Sequence, residues 1–317
     1  MNIHKYPEFY HQNHNQKNYF EGWYYKQVSK DKSHTISIIP GVSFNGINNH
    51  SFIQVIYYNK EVGLMSKKID FDIDFFTCKN DDFQVKIANN KFCLSGIELA
   101  INDDEISIIG KLEFSKITRV KRNILNPNIM GFFSYLPHME CNHGVISMSH
   151  YLQGSLTING QEIDFTKGKG YLEKDWGRSF PKNYLWLQSN DFDNYSVSFF
   201  CSLATIPLKF INFEGLICNL QINGIEYRFA TYNHSKATVV KITDKYLEIN
   251  LKNFKYQLNI RARIDNFKSL KAPKKGAMSH TIKEGLSGEV ELRLKNKSNK
   301  IIYHGTGNQS GIELEFM

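Results

Sequence analysis

Proline, tryptophan and cysteine are scarce in this chain, and long apolar runs are missing. With only 7 prolines in 317 residues, a proline-rich linker is excluded. No stretch approaches the ~18 consecutive apolar residues of a membrane-spanning helix. Met1 to Lys17 is polar and His/Asn-rich, with no apolar centre, so a secretory signal is not expected. The 5 cysteines are an odd number without a Cys-x-x-Cys pair. Several sit in apolar runs such as Phe199-Phe200-Cys201, which indicates buried, reduced thiols in a cytoplasmic protein, not a disulfide frame or a zinc site. The balance of 39 basic against 31 acidic residues gives +8, but the lysines are dispersed. Without a dense basic stripe, nucleic acid is not an expected partner.

Aromatic residues are plentiful, at 14% with 23 Phe and 17 Tyr, which favours the pleated surface of β-sheets. Period-two patterns run through the whole chain. His50 to Tyr58, Lys67 to Phe76, Tyr195 to Ile206, Phe210 to Ile222 and Gly311 to Phe316 all read as strands. Asn45-Gly46, Asn159-Gly160 and Asn223-Gly224 are hairpin signals, because both residue types tolerate the positive φ of a type I′ turn. No amphipathic helix longer than about three turns is evident. So many sequential strands predict an all-β fold of closed barrels or sandwiches, since long strands need their edges paired or covered. Residues 123–143 break the pattern with an apolar, aromatic, loop-like stretch that includes Phe132 and Tyr135. It reads as a connection packed on a core, or as the lid of an apolar pocket.

The 3 tryptophans fall in two short segments, around Trp23 and from Gly170 to Asn190. In an extended strand Tyr171, Glu173 and Asp175 share one face. Two carboxyls at i and i+2 lie roughly 7 Å apart at their Cα atoms. If that face is buried, repulsion and desolvation hold a proton on at least one of them. A neutral carboxylic acid among aromatic faces is what alkene protonation requires, and Trp23, Tyr25, Trp176 and Trp186 are candidates to stabilise the resulting cation. The structural alternative pairs Glu173 and Asp175 with Lys174, Arg178 or Lys26 and leaves the tryptophans in the core. Glu21 beside Lys26 has the same two readings. His138, His143 and His150 are not at metal-ligand spacing, so no metal is expected. Gly-x-Ser-x-Gly is absent and no glycine cluster forms a phosphate loop.

Four segments in order resemble the tocopherol cyclase family. They are Tyr19-Phe20-Glu21-Gly22-Trp23-Tyr24-Tyr25-Lys26, then Pro137-His138-Met139-Glu140-Cys141-Asn142-His143-Gly144, then Glu173-Lys174-Asp175-Trp176-Gly177 with Phe180-Pro181 and Trp186-Leu187-Gln188, and Leu270-Lys271-Ala272-Pro273 followed by Gly288-Glu289-Val290. A weaker similarity extends to carotenoid hydratases and related proteins with two lipocalin-like barrels. The resemblance implies two antiparallel lipocalin-like halves, divided here as residues 1–167 and 168–317, around an apolar cavity. It also implies acid-catalysed addition of an oxygen nucleophile to an isoprenoid double bond, as when a prenylated hydroquinol closes to a chromanol, with no cofactor. Glu173 or Asp175 would be the acid, and Glu21, Trp23, Tyr25, Trp176, Trp186, Phe132, Tyr135 and His143 would contact the substrate. Plant cyclases carry Asn where this chain has Asp175, so Asp175 is not a donor common to the family. The Asn/Lys/Ile-rich composition points away from a photosynthetic source, and so from tocopherol itself. A lipocalin-like carrier of an apolar ligand is the alternative. A structural role for both motifs would predict no sizeable internal cavity. The Met130 to Pro137 segment is a candidate for transient contact with a membrane surface.

Overall fold

A computed structural model describes residues 4–11, 17–46, 48–79, 82–136, 139–192, 196–208, 211–264 and 266–315. Pro137, His138, Tyr195, Phe210 and Phe316 lie outside the described residues. The strands of the first half are β1 (Tyr19–Val28), β2 (His34–Phe44), β3 (His50–Asn59), β4 (Gly63–Asp72), β5 (Phe76–Cys78), β6 (Gln84–Ile87), β7 (Asn90–Cys93), β8 (Gly96–Asn102), β9 (Ser107–Thr118), β10 (Cys141–Ile158), β11 (Gln161–Asp164) and β12 (Lys169–Gly177). Those of the second half are β13 (Tyr184–Ser189), β14 (Asp191–Phe192), β15 (Val197–Leu208), β16 (Ile211–Ile222), β17 (Ile225–Ala230), β18 (Lys236–Ile242), β19 (Tyr246–Lys252), β20 (Tyr256–Arg263), β21 (Lys268–Lys274), β22 (Ala277–Asn296) and β23 (Ile301–Glu315). Among the described residues the only helical turns are short 3-10 segments.

All the pairings are antiparallel and form two sheets. The first runs β4-β3-β2-β1-β12-β10-β9-β8-β7-β6-β5, with β11 beside β10. Its two end strands are consecutive in the chain, so the sheet curls back on itself into a nearly closed barrel. Trp23, Tyr25, Ile36, Phe92, Leu112 and Phe165 belong to the core inside it. The second sheet runs β17-β16-β15-β13-β23-β22-β20-β19-β18 around its own core, which includes Leu187, Phe199, Phe229, Ile260 and Leu292. The division expected after Lys167 falls short of this boundary. It would cut β12 away from β1 and β10, whose central partner it is, so the sheets part between Gly177 and Tyr184.

Asn159-Gly160 and Asn223-Gly224 form the two-residue turns β10–β11 and β16–β17, all four residues having φ between 49° and 83°. A Cβ at Gly224 would meet nothing within 4 Å, so the turn requires glycine for its φ of 80° and not for space. Asn45-Gly46 instead lies in a longer β2–β3 connection. The Lys67 to Phe76 strand is also interrupted. The Asp72 side chain accepts the Asp74 N–H at 3.1 Å and turns Ile73–Phe75 into a 3-10 segment, a local bond that competes with the ladder. The lysine-rich stretch around Pro273 is β21, an edge strand whose register skips Pro273, where the missing N–H costs no ladder bond.

The two halves meet face to face. Tyr24, Met130, Val145, Tyr171, Tyr184, Trp186 and Phe200 form one shared cluster, and Ile56, Leu270, Ala272, Ile282 and Leu286 form a second. The cavity lies at this junction.

Candidate active site between the sheets

Strand parity decides what reaches the cavity. On β12, Tyr171, Glu173 and Asp175 face the second sheet, whereas Lys174 turns into the first barrel, where its ammonium lies over the rings of Trp23 and Trp176. Tyr24 pairs with Glu173 and Gly22 with Asp175 in the β1–β12 register, and His143 pairs with Asp175 between β10 and β12. Phe20, Gly22 and Tyr24 therefore line the cavity, together with Phe52, Met130, Phe133, Phe180, Tyr184, Trp186 and Phe213. The space open to the centre of a water molecule is about 160 Å³, similar to a cavity that takes up benzene. A purely structural role, which predicts no such space, does not account for it.

Glu173, Asp175 and His143 converge at the cavity wall. Asp175 Oδ1 is 2.8 Å from His143 Nδ1, and Glu173 Oε2 is 3.4 Å from His143 Nε2. The imidazole also stacks on Phe200, with ring centroids 4.9 Å apart. Burial opposes the charge of His143, but Asp175 and then Glu173 outweigh it and raise the imidazole to about 9. Three potential ligand atoms within 4.8 Å of one another could also hold a cation. Here the imidazole turns one nitrogen toward each carboxyl, so the positive charge between them is already supplied.

The environment of Glu173 is asymmetric. Tyr171 Oη donates to Oε2 at 2.5 Å and Trp186 Nε1 donates to it at 3.1 Å. Among the described residues no group donates to Oε1. Burial raises this carboxyl to about 7, against the opposing pull of His143 and with help from Asp175. In the neutral acid, the oxygen that accepts the bonds is Oε2, and the proton belongs on Oε1.

On the facing sheet Glu313 lines the same cavity, and Glu284 is its cross-strand neighbour. Burial raises Glu284 to about 8, and Glu313 is pushed well up by burial and by the charge of Glu284. The sequence offered no sign of either. Each lies more than a hundred residues from Glu173 and is brought there by strand pairing alone.

The remaining sequence candidates are elsewhere. Glu21, Trp23 and Tyr25 point into the first barrel with Lys174. Glu21 Oε2 pairs with Lys174 Nζ at 2.5 Å and Oε1 accepts from Tyr19 Oη at 2.5 Å. Trp176 packs on that core as well. Phe132 and Tyr135 are 46% and 44% exposed, and it is Phe133 that turns inward, stacking on Phe213. The structure thus brings together Glu173, Asp175, His143 and Trp186, and adds Tyr24, Tyr171, Tyr184, Glu284 and Glu313.

A family model described as "Tocopherol cyclase-like" matches residues 117–315. The chain belongs to that family. It is 29% identical over 66 residues to the chloroplastic tocopherol cyclase of Zea mays, a match covering 21% of this chain and 14% of the maize protein. Among solved structures, CghA with Sch210972 superposes with a TM-score of 0.60 at 11% identity, covering 95% of this chain and 89% of CghA. Kievitone hydratase from Nectria haematococca gives 0.55 at 12% identity, covering 96% and 92%. At such identities these two likenesses establish the shared two-barrel architecture.

Proposed function

We propose that this protein is an acid catalyst that adds an oxygen nucleophile across a double bond of a prenylated quinol or another isoprenoid lipid. An internal hydroxyl would close a ring, and water would hydrate the bond. The observation that carries this reading is Glu173, a buried carboxyl raised to about 7 in an apolar cavity, with its donors on Oε2. Oε1–H then delivers the proton to the alkene carbon. The positive charge grows at the neighbouring carbon among the faces of Trp186, Tyr24, Phe52 and Phe133, which favour a cation by their quadrupoles. Asp175 neutralises the His143 imidazolium, so that it adds no net repulsion to that cation. The chemistry also agrees with what the names of the maize cyclase and the fungal hydratase say of those proteins.

The test is turnover of geranylhydroquinone in D2O. The expected product is a chromanol or a hydrate carrying one carbon-bound deuterium. Product without carbon-bound deuterium would contradict proton donation from an exchangeable acid. Tight binding with no product at all would support the carrier reading instead, since a carrier needs only the apolar lining.

Transient contact with a membrane surface is part of the same reading. Ile124 and Leu125 are 89% and 73% exposed in the connection that also carries Met130 and Phe133 to the cavity. Cosedimentation with phospholipid vesicles is expected, and it should weaken in an Ile124→Ser, Leu125→Ser variant. Vesicle binding that is absent, or unchanged in that variant, would remove this part. A cytoplasmic location is proposed from the 5 free thiols.

A further inference from the structure

The wall opposite Glu173 carries a pair of buried carboxyls that the acid step leaves unused. Glu284 and Glu313 are cross-strand neighbours on β22 and β23, and both are buried. Tyr184 Oη donates to Glu313 Oε2 at 2.7 Å. Tyr24 Oη donates to Glu284 Oε1 and itself accepts from Ser37 Oγ at 2.8 Å. Glu284 is fully buried, yet its Oε2 has no donor among the described residues. Two buried carboxyls this close do not both ionise, and a proton held between them supplies the donor that the orphan oxygen lacks. Glu313 faces the cavity. It is also the cross-strand neighbour of Trp186, the residue whose indole donates to Glu173. The two carboxyls thus flank one indole, one on each sheet.

We propose that Glu313 binds the nucleophilic hydroxyl or water and takes its proton, while Glu284, held by Tyr24, receives the proton the pair already shares. This rests on the acid-catalysis reading above. The alkene π pair forms the new C–H bond with the Glu173 proton, and an oxygen lone pair forms the C–O bond. The O–H bond then breaks, leaving its electrons on oxygen. As its proton arrives on Glu313, the shared proton moves onto Glu284. The pair ends with two protons and Glu173 with none, and exchange with solvent after product release restores both. No oxidant or reductant is involved.

Recovered substrate and product are analysed by mass spectrometry after incubation of geranylhydroquinone in D2O. Glu313→Gln keeps the shape and a hydrogen-bond acceptor but cannot take the proton. Product formation should fall by roughly 100-fold or more. Deuterium should still enter the recovered substrate, because reversible protonation by Glu173 continues. Glu173→Gln should lose product and exchange together. Normal turnover by Glu313→Gln, or joint loss of product and exchange in it, would overturn the role given to Glu313. Exchange that persists in Glu173→Gln would overturn the acid assignment independently. A parent protein that gives neither product nor exchange would overturn both. If Glu313→Gln does not fold, Tyr184→Phe removes only the donor to Glu313. It is expected to lose about tenfold in product, the worth of one ordinary hydrogen bond, with exchange retained. Unchanged product there would count against the proposal.

Discussion

Replacing Glu173 by Gln is expected to lower kcat by roughly 100- to 10,000-fold, the usual contribution of a positioned general acid. The amide is isosteric, and its carbonyl can still accept from Tyr171 and Trp186, so affinity for geranylhydroquinone should stay within about threefold. What is lost is the transferable proton. The pH dependence follows with a definite sign. The active form of this group is the protonated one, and burial raises this carboxyl to about 7, so its titration should make the rate fall as pH rises through about 7. If His143 were the donor instead, the decline would come near its raised value of about 9. A Glu173→Gln variant that turns over at the parent rate would remove Glu173 from the reaction.

Lys174→Met is expected to destabilise the fold by about 3–5 kcal/mol, the usual cost of removing one partner from a buried ion pair. Lys174 and Glu21 are both buried, 2.5 Å apart. Burial lowers the lysine, and the charge of Glu21 works against that shift. Its ammonium also donates to the Phe9 carbonyl at 2.6 Å, and Trp23 Nε1 donates to the Glu8 carbonyl at 2.8 Å, so this cluster ties the N-terminal segment to the barrel. Urea unfolding should show a lower midpoint with an unchanged slope. Adding Glu21→Gln should recover part of the loss, because the stranded charge is then gone. A cost below about 1 kcal/mol, the range of exposed pairs, would mean that the pair is not buried together. Lys174 is the chain neighbour of both Glu173 and Asp175 on the opposite face, so the same strand that anchors the barrel also aims the cavity carboxyls.

Much of the β-architecture is legible in the residue order, because turn chemistry and period-two alternation are local. The shared face of Tyr171, Glu173 and Asp175 follows from strand parity alone. β1 was not readable in the same way. Every residue of Tyr19–Val28 except Gly22 is buried, because one face fills the barrel and the other meets the second sheet. No polar alternation marks which face is which, so Trp23 and Tyr25 look like cavity residues while Tyr24 and Gly22 are the ones that reach it. Phe132 and Phe133 were indistinguishable for a related reason, since the 3-10 segment Gly131–Tyr135 follows no two-residue period. His143 became central only when β10 paired with β12 and set it opposite Asp175. Nothing local in the sequence singles out Glu284 and Glu313, which reach the cavity wall only through the pairing of β22 with β23.

The central claim is that the cavity keeps Glu173 as a neutral acid near neutral pH. Infrared difference spectra of the ligand-free protein between about pH 5 and about pH 9, a span bracketing ordinary and raised carboxyl values, measure this directly when compared with Glu173→Gln. The expected result is a protonated-carboxyl stretch that disappears with a midpoint near 7 and is missing from the variant. If Glu173 proves ionised throughout that range, the cavity does not hold the acid and the account fails at its first step.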